Sequence, residues 1–360
     1  MVLKQFVTGA NATRTIEWRK GVVVTIDQTK LPIKMVLLKL RTCRDVASAI
    51  KTMKIRGAPL IGAAAAYGLA LTAYRSKTKK QEVLIKQLDV SAELLRKTRP
   101  TGVNLFWAVD RVLEKTRNAF DSVEKLVEVV VSEAQKIADE DVQMNKKIGE
   151  YGSELLNNGD RVLTHCNAGS LATVDYGTAL GVIRAAWEKG KKILVVATET
   201  RPKLQGARLT AYELKRDKIP FMLITDSMVG YVMSKGLVSK VVVGADRIVR
   251  DAVVNKIGTY SIAVLAHEHG IPFYAAAPSS TFDLEHTAQD VVIEERNPEE
   301  VTNFGSETVA PKGVKVLNPA FDITPMKYVN GIICEKGVLS VEQLEKLAMT
   351  EYGILRGIKF

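Results

Sequence analysis

The sequence predicts an α/β protein: a small mixed N-terminal domain of antiparallel strands and helices, followed by a Rossmann-like domain with a doubly wound parallel sheet. Three observations predict it. From residue 162 onward, short apolar runs alternate with helical patterns and end at polar turns, which implies right-handed crossovers between parallel strands. Before that, residues 15–38 carry three strand-like pieces, and residues 42–158 carry helical periodicity. A chain of 360 residues favours about two domains. The boundary is placed at 150, so residues 1–150 form the β-meander and helical domain and 151–360 the Rossmann-like domain.

In the first part, Thr15 to Trp18, Val22 to Ile26 and Ile33 to Leu38 read as a meander, separated by Arg19-Lys20-Gly21 and by Asp27 to Pro32. Helical periodicity then starts at Thr42, with breaks at Arg56-Gly57-Ala58-Pro59, at Lys77 to Lys80 and at Arg99-Pro100-Thr101-Gly102. Ala58 to Ala73 is the longest apolar run. It is Ala-rich and shorter than the roughly 20 residues of a membrane span, so a buried helix is expected. A long helical stretch from Asp121 leads to the turn Asn157-Asn158-Gly159-Asp160.

Five strands follow: Val162 to Thr164, Ile193 to Ala197, Phe221 to Ile224, Lys240 to Val243 and Phe273 to Ala277, with Val329 to Cys334 as a late strand. Between them, helices are expected from the periodicity of Leu171, Leu180, Val182 and Ile183, over Leu204 to Leu214, over Met228 to Lys235 and over Tyr260 to His267. The last of these is expected to start around Asn255-Lys256-Ile257-Gly258.

The formal charge of +11 and pI near 9.4 admit a nucleic-acid partner or an anionic small molecule. Lys and Arg are interspersed with Glu along the helices and form no block, which favours a solvated surface with a local phosphate pocket. The three cysteines, Cys43, Cys166 and Cys334, are far apart and lack metal-like spacing, as expected of a reducing cytoplasm. Residues 1–14 carry no long apolar core of a signal peptide. No membrane partner is expected.

Polar residues fall at the five strand ends: Cys166, Glu199 to Arg201, Asp226, Asp246 and Ser279 to Thr281. Open α/β sheets bind ligands outside those ends. Neither G-x-G-x-x-G nor a P-loop follows any strand, so the usual dehydrogenase and nucleotidase signatures are missing. Cys166 sits between a strand end and an expected helix start, where the dipole favours thiolate; a small buried hydrophobe is its plain alternative. Asp246 follows three valines and Gly244, a setting suited to proton transfer, against an ion pair with Arg247 or a helix cap. Arg56 and Arg99 each precede Pro at a helix start, where an anion would be held, or where a surface charge merely marks a boundary. Asn255 and Lys256 suit charge neutralisation and hydrogen bonding, or only cap a helix. His165, His267 and His269 read as structural.

Taken in order, Arg56-Gly57-Ala58-Pro59, Arg99-Pro100-Thr101-Gly102-Val103-Asn104, Thr164-His165-Cys166-Asn167-Ala168-Gly169, Glu199-Thr200-Arg201-Pro202 with Gln205-Gly206-Ala207-Arg208-Leu209-Thr210, Gly244-Ala245-Asp246-Arg247 and Asn255-Lys256-Ile257-Gly258-Thr259-Tyr260 resemble the motif set of the 5-methylthioribose-1-phosphate isomerase family. The resemblance runs over nearly the whole chain, and Tyr176-Gly177-Thr178-Ala179-Leu180-Gly181 matches that branch in particular. It implies a cofactor-free and metal-free aldose–ketose isomerisation in methionine salvage, carried out by a homodimer. Cys166 and Asp246 are the implied acid/base pair. Arg56, Gly57, Ala58, Arg99, Gln205, Asn255 and Lys256 are the implied contacts to the sugar phosphate. Two relatives of the same fold stand as alternatives: ribose-1,5-bisphosphate isomerase, and non-catalytic regulatory subunits of the exchange factor of translation initiation.

Overall fold

The computed structural model describes residues 14–100, 102–117, 120–344 and 346–347; residues 1–13 of the N-terminal stretch read above for a signal peptide, Thr101 and the chain beyond 347 lie outside them. The described residues divide into two compact units. The first comprises residues up to Pro100, Asn104–Lys146 and Gly169–Gly177; the second comprises residues 102–103, Lys147–Ala168 and the chain from Thr178 on.

In the first unit, β1 (Ile16–Arg19), β2 (Val22–Ile26) and β3 (Leu37–Leu40) form an antiparallel sheet in sequence order. The third strand starts four residues later than its apolar pattern suggests. Asp27 Oδ1 accepts the N–H and the hydroxyl of Thr29 at 3.0 and 2.6 Å, folding residues 27–36 into a turn, and Pro32 brings no N–H to a ladder. Ile33 is left 95% exposed.

Five helices follow: α1 (Cys43–Lys51), α2 (Ala58–Arg75), α3 (Gln81–Arg96), α4 (Val103–Lys115) and α5 (Val123–Ser153). A Thr42/Asp45 capping box starts α1. Helix α2 is apolar on every face and is accordingly sunk into the core of this unit, whereas α3 buries one stripe, Leu84, Leu88, Ala92 and Leu95.

Residues 169–177 do not begin an α-helix after Cys166, as their periodicity suggests, but hold only one 3-10 turn, Ser170–Ala172. Their backbone groups are taken up by the first unit: Thr15 N donates to Val174 O at 2.8 Å, Thr15 Oγ1 to Ser170 O at 2.6 Å, and Gln28 Nε2 to Leu171 O at 2.7 Å. The helix is thereby delayed until Ala179, so the helix-dipole argument for Cys166 loses its helix.

The second unit contains β4 (Arg161–Thr164), α6 (Ala179–Glu188), β5 (Leu194–Thr198), α7 (Ala211–Arg216), β6 (Phe221–Ile224), α8 (Val229–Ser234), β7 (Lys240–Gly244), β8 (Arg247–Val249), β9 (Ala252–Lys256), α9 (Thr259–Glu268), β10 (Phe273–Ala276), β11 (Phe282–Asp283), α10 (Glu299–Thr302), β12 (Asn303–Phe304), β13 (Glu307–Thr308), β14 (Phe321–Pro325), β15 (Gly331–Cys334) and β16 (Gly337–Leu339). Its main sheet runs β16-β15-β10-β7-β4-β5-β6, parallel throughout except for the antiparallel edge strand β16. Without that edge, this is the Rossmann order 3-2-1-4-5-6.

Alternate strand residues face opposite ways. Leu163, Val196, Val241 and Val243 pack with Val232, Met233, Ile262 and Ala266 of α8 and α9, while Val162, Val195 and Val242 pack with Leu180, Val182, Ile183 and Leu214 of α6 and α7. Both faces are covered, which is why these strands read as unbroken apolar runs.

A second sheet, β11-β8-β9-β14, corrects the expectation for Asn255 and Lys256. They end the strand β9, paired with Asp322 and Phe321 of β14, and α9 starts only after Gly258. The cause is a tight hairpin: β8 and β9 pair across Arg250-Asp251, a turn with no glycine or asparagine to announce it.

Candidate active site at the reversal of the sheet

The chain runs from β4 outward to β5 and β6, then returns to the other side of β4 with β7, β10 and β15. The winding therefore reverses between β4 and β7. Open sheets bind ligands in the crevice outside the carboxyl ends at such a point. Cys166 follows β4 by two residues and Asp246 follows β7 by two. Gly244 and Ala168 bring the two loops together: a Cβ on Gly244 would stand 2.6 Å from the Ala168 Cβ, too close for any side chain.

Cys166 is half-buried and has a left-handed backbone, φ 62°. An L-residue adopts that conformation only when its surroundings impose it. Here Cys166 N donates to Thr200 Oγ1 at 2.8 Å, and Thr210 Oγ1 donates to Cys166 O at 2.6 Å. Asn167 is tied in as well, its Nδ2 donating to Glu213 Oε1 at 2.9 Å, and Glu213 pairs with Arg184.

Asp246 is half-buried, with its N–H donated to Val254 O at 2.9 Å. The alternative of an Asp246–Arg247 ion pair is not realised. Arg247 turns to Asp283, with Nε 2.6 Å from Oδ2.

Asp226, beyond β6, has a structural task. Its oxygens accept Thr200 N at 2.8 Å and Arg201 N at 2.7 Å, which fixes the turn after β5, where the β-branched Thr200 has φ 66°. Gln205 follows that turn, buried, with its Oε1 lacking a hydrogen-bond partner among the described residues. The chain then makes one π-helical turn, Gly206–Thr210, a widened geometry frequent at functional sites. Gly206 makes it possible, since a Cβ there would lie 1.7 Å from Thr198 O.

Lys256 is buried, with Nζ 2.7 Å from Ala320 O and 4.9 Å from the Phe321 ring centroid. The cation–π contact and the carbonyl together offset part of its desolvation. Asn255 Nδ2 donates to Thr259 Oγ1 at 3.0 Å. Asp322 is a residue that sequence reasoning missed. Burial pushes its pKa up to about 6, against the pull of the Gly258 and Tyr260 N–H groups it accepts and of Lys256. Ser279, at the end of β10, is engaged by Glu335.

Arg56, Gly57, Ala58 and Arg99 lie in the first unit. Gly57, φ 95°, precedes α2, and a Cβ on it would stand 2.5 Å from Ala172 Cα and O, so only glycine fits. No side chain caps α2, and Pro59 lies in its first turn. Arg56 is only 8% exposed beside this end. A buried cation at the positive end of a helix dipole is an arrangement suited to an anion. Arg99 is half-buried, with Nη1 3.4 Å from Met53 Sδ. Among the described residues, no three His, Cys, Asp or Glu side chains are grouped to hold a metal ion, and no helix is long and apolar enough to cross a membrane.

A Rossmann-order sheet with a thiol and a carboxyl flanking its reversal point, and without a nucleotide fingerprint, defines a doubly wound α/β protein whose crevice lies at that point. The chain belongs to the Initiation factor 2 subunit family, whose model matches residues 54–341. It is 54% identical over 330 residues to the methylthioribose-1-phosphate isomerase of Carboxydothermus hydrogenoformans, covering 90% of this chain and 95% of that one. With the methylthioribose-1-phosphate isomerase of Thermosipho africanus it shares 52% over 340 residues, 93% and 98% of the two chains. The crystal structure of 5-methylthioribose 1-phosphate isomerase from Pyrococcus horikoshii superposes with a TM-score of 0.87 at 47% identity, over 93% of this chain and 95% of that one. A structure from A. fulgidus described as translation initiation factor eIF-2B subunit delta gives 0.82 at 54% identity, over 92% and 99%.

Proposed function

We propose that this chain isomerises 5-methylthioribose 1-phosphate to 5-methylthioribulose 1-phosphate in methionine salvage, with Cys166 and Asp246 as its acid/base pair. The observation that carries the reading is that these two residues follow the carboxyl ends of the adjacent strands between which the sheet reverses. The isomerases at about half identity over nine-tenths of the chain support the substrate.

The chemistry has one special demand. The anomeric oxygen is esterified to phosphate, so the sugar ring cannot open as a free hemiacetal does. Asp246 protonates the ring oxygen as the bond from C1 to that oxygen breaks, Cys166 takes the proton from C2 and delivers it to C1, and the 2-hydroxyl proton released as the C2 ketone forms restores Asp246. The two carbons exchange oxidation level within one molecule, so no external oxidant or cofactor is required. Arg56, the backbone of Gly57 and Ala58, Arg99, Gln205, Asn255 and Lys256 bind phosphate and sugar hydroxyls; a guanidinium fork suits phosphate, and small residues let backbone approach it. The deciding experiment is incubation of the purified protein with 5-methylthioribose 1-phosphate, followed for ketose. Failure to form ketose, with ribose 1,5-bisphosphate converted instead, would transfer the assignment to the bisphosphate isomerase.

The A. fulgidus structure's description keeps a second reading open, a non-catalytic regulatory subunit that docks on a translation factor. An inactive preparation that co-purifies with a translation GTPase would favour it.

The same reading includes a homodimer in a cytoplasmic setting. Its support is the exposed apolar side chains of the edge strand β6, Met222 and Leu223, and of the segment that follows it, Met228 and Tyr231, and the absence of disulfides among the three cysteines. Light scattering at micromolar concentration tests the dimer, and a monomer would refute it.

A further inference from the structure

We infer that Thr200 is a positioning residue for Cys166, and that Thr198 and His165 extend its hold to the backbone next to Lys256. The inference rests on the reading of Cys166 as the acid/base thiol, and its test is chosen to be separable from that reading.

The donor directions follow from the chemistry of each group. Cys166 N donates to Thr200 Oγ1 at 2.8 Å, so the Thr200 hydroxyl hydrogen must go elsewhere: Thr198 Oγ1 stands 3.2 Å away and the Thr198 carbonyl oxygen 3.4 Å, and the shorter contact is to the hydroxyl. Thr198 Oγ1 lies 2.6 Å from His165 Nδ1, and His165 Nε2 lies 2.8 Å from the Ile257 carbonyl. A carbonyl only accepts, so Nε2 carries the proton and Nδ1 accepts from Thr198. One ordered series of donors therefore runs Cys166, Thr200, Thr198, His165, Ile257.

Every intermediate member is buried: Thr198 and Thr200 at 0% exposure and His165 at 2%. Burial also holds the His165 imidazole below its ordinary pKa, in keeping with one proton on the ring. In such surroundings the removal of one link strands a desolvated polar group on either side. The series ends one residue beyond Lys256, which is itself anchored on Ala320 O at 2.7 Å. Thiol direction and lysine backbone are thus set by one network, and left-handed Cys166 depends on it for its N–H.

Thr200→Val keeps the side-chain shape and removes the acceptor. Cys166 then relaxes toward an ordinary backbone region and its thiol turns away. We expect kcat to fall at least about tenfold with KM within about threefold, since small misplacements of a reacting group cost that much. The rate at which iodoacetamide labels Cys166 should change by at least about threefold, and Thr200→Ser should restore both quantities, because its hydroxyl accepts the same bond. Cys43 and Cys334, buried and with their thiols pushed up to about 11, serve as slow references in peptide mapping. Wild-type kcat and labelling in Thr200→Val, or a Ser variant as impaired as the Val variant, would overturn the inference. Should Thr200→Val not fold, Thr200→Ala removes the same acceptor, and unchanged labelling there would overturn it equally. If Cys166→Ser proves fully active, the acid/base reading fails while the labelling rate still reports on positioning.

Discussion

The carboxylate of Asp322 accepts the N–H of Gly258 at 2.7 Å and that of Tyr260 at 3.1 Å, joining β14 to the start of α9 across more than sixty residues of sequence. It does for α9 what an N-cap side chain does from within a helix: no side chain of α9's own provides a cap, and Gly258 is left-handed at φ 104°. The segment so held begins at Lys256. Asp322→Ala should therefore loosen Lys256 and raise KM for the sugar phosphate about tenfold while kcat at saturation stays within about threefold, as expected when binding and not chemistry is lost. Steady-state kinetics decide it, and an unchanged KM would show that Lys256 is held in place independently of Asp322.

Cys166→Ser and Asp246→Asn are each expected to lower turnover by about two or more orders of magnitude, the usual scale of acid/base work. The circular dichroism spectrum and melting temperature should stay near those of the wild type, since both side chains are only half-buried. Near-normal turnover in either variant would remove that residue from the pair.

What the sequence reveals and what it hides follow from the same physics. Strands β4, β5, β7 and β10 are legible because burial on both faces makes them apolar runs such as Val241-Val242-Val243. The hairpin β8/β9 is not, because its two-residue turn is Arg250-Asp251 and its polar end, Asn255-Lys256, imitates a helix start. Segment 169–177 deceives for another reason: its apolar residues are buried, but Val174 joins the core of the first unit and the backbone is taken up by Thr15 and Gln28, and no local pattern says which core a residue joins. Cys166 and Asp246 are legible as strand-end residues. Thr200 is legible as a strand-end residue too, but that its hydroxyl and that of Thr210 hold the Cys166 backbone is not, since they lie 34 and 44 positions away and carry no periodic signal.

Arg56 tests the anion reading of the first unit. With no capping side chain on α2 and Arg56 only 8% exposed, Arg56→Ala removes a charge-assisted partner of phosphate and leaves the helix N–H groups in place. KM should rise about tenfold or more with kcat changed far less. An unchanged Michaelis constant would mean that the phosphate is bound without Arg56.

Asp141, on α5, provides a test by pH. Its Oδ2 accepts the N–H of Val174 at 2.7 Å and so fastens residues 169–177 within the first unit. Complete burial pushes its pKa from 3.8 up to about 7; the Val174 N–H, the Asn145 side chain and Arg14 pull it down, and the charge of Asp175 adds to the rise. The folded protein therefore keeps a proton here that the unfolded chain releases near pH 4. The stability contributed by that proton is complete below pH 4 and is lost progressively as pH rises to 7, at most on the order of 4 kcal/mol. Asp141→Asn mimics the protonated acid, retaining an oxygen to accept Val174 N–H and no charge to desolvate. Melting temperatures measured from pH 4 to 8 should fall less steeply for the variant than for the wild type between pH 4 and 7, and the variant should be the more stable of the two at pH 8. Parallel curves would show that Asp141 is ionised in the folded protein, with its charge compensated by the partners around Val174.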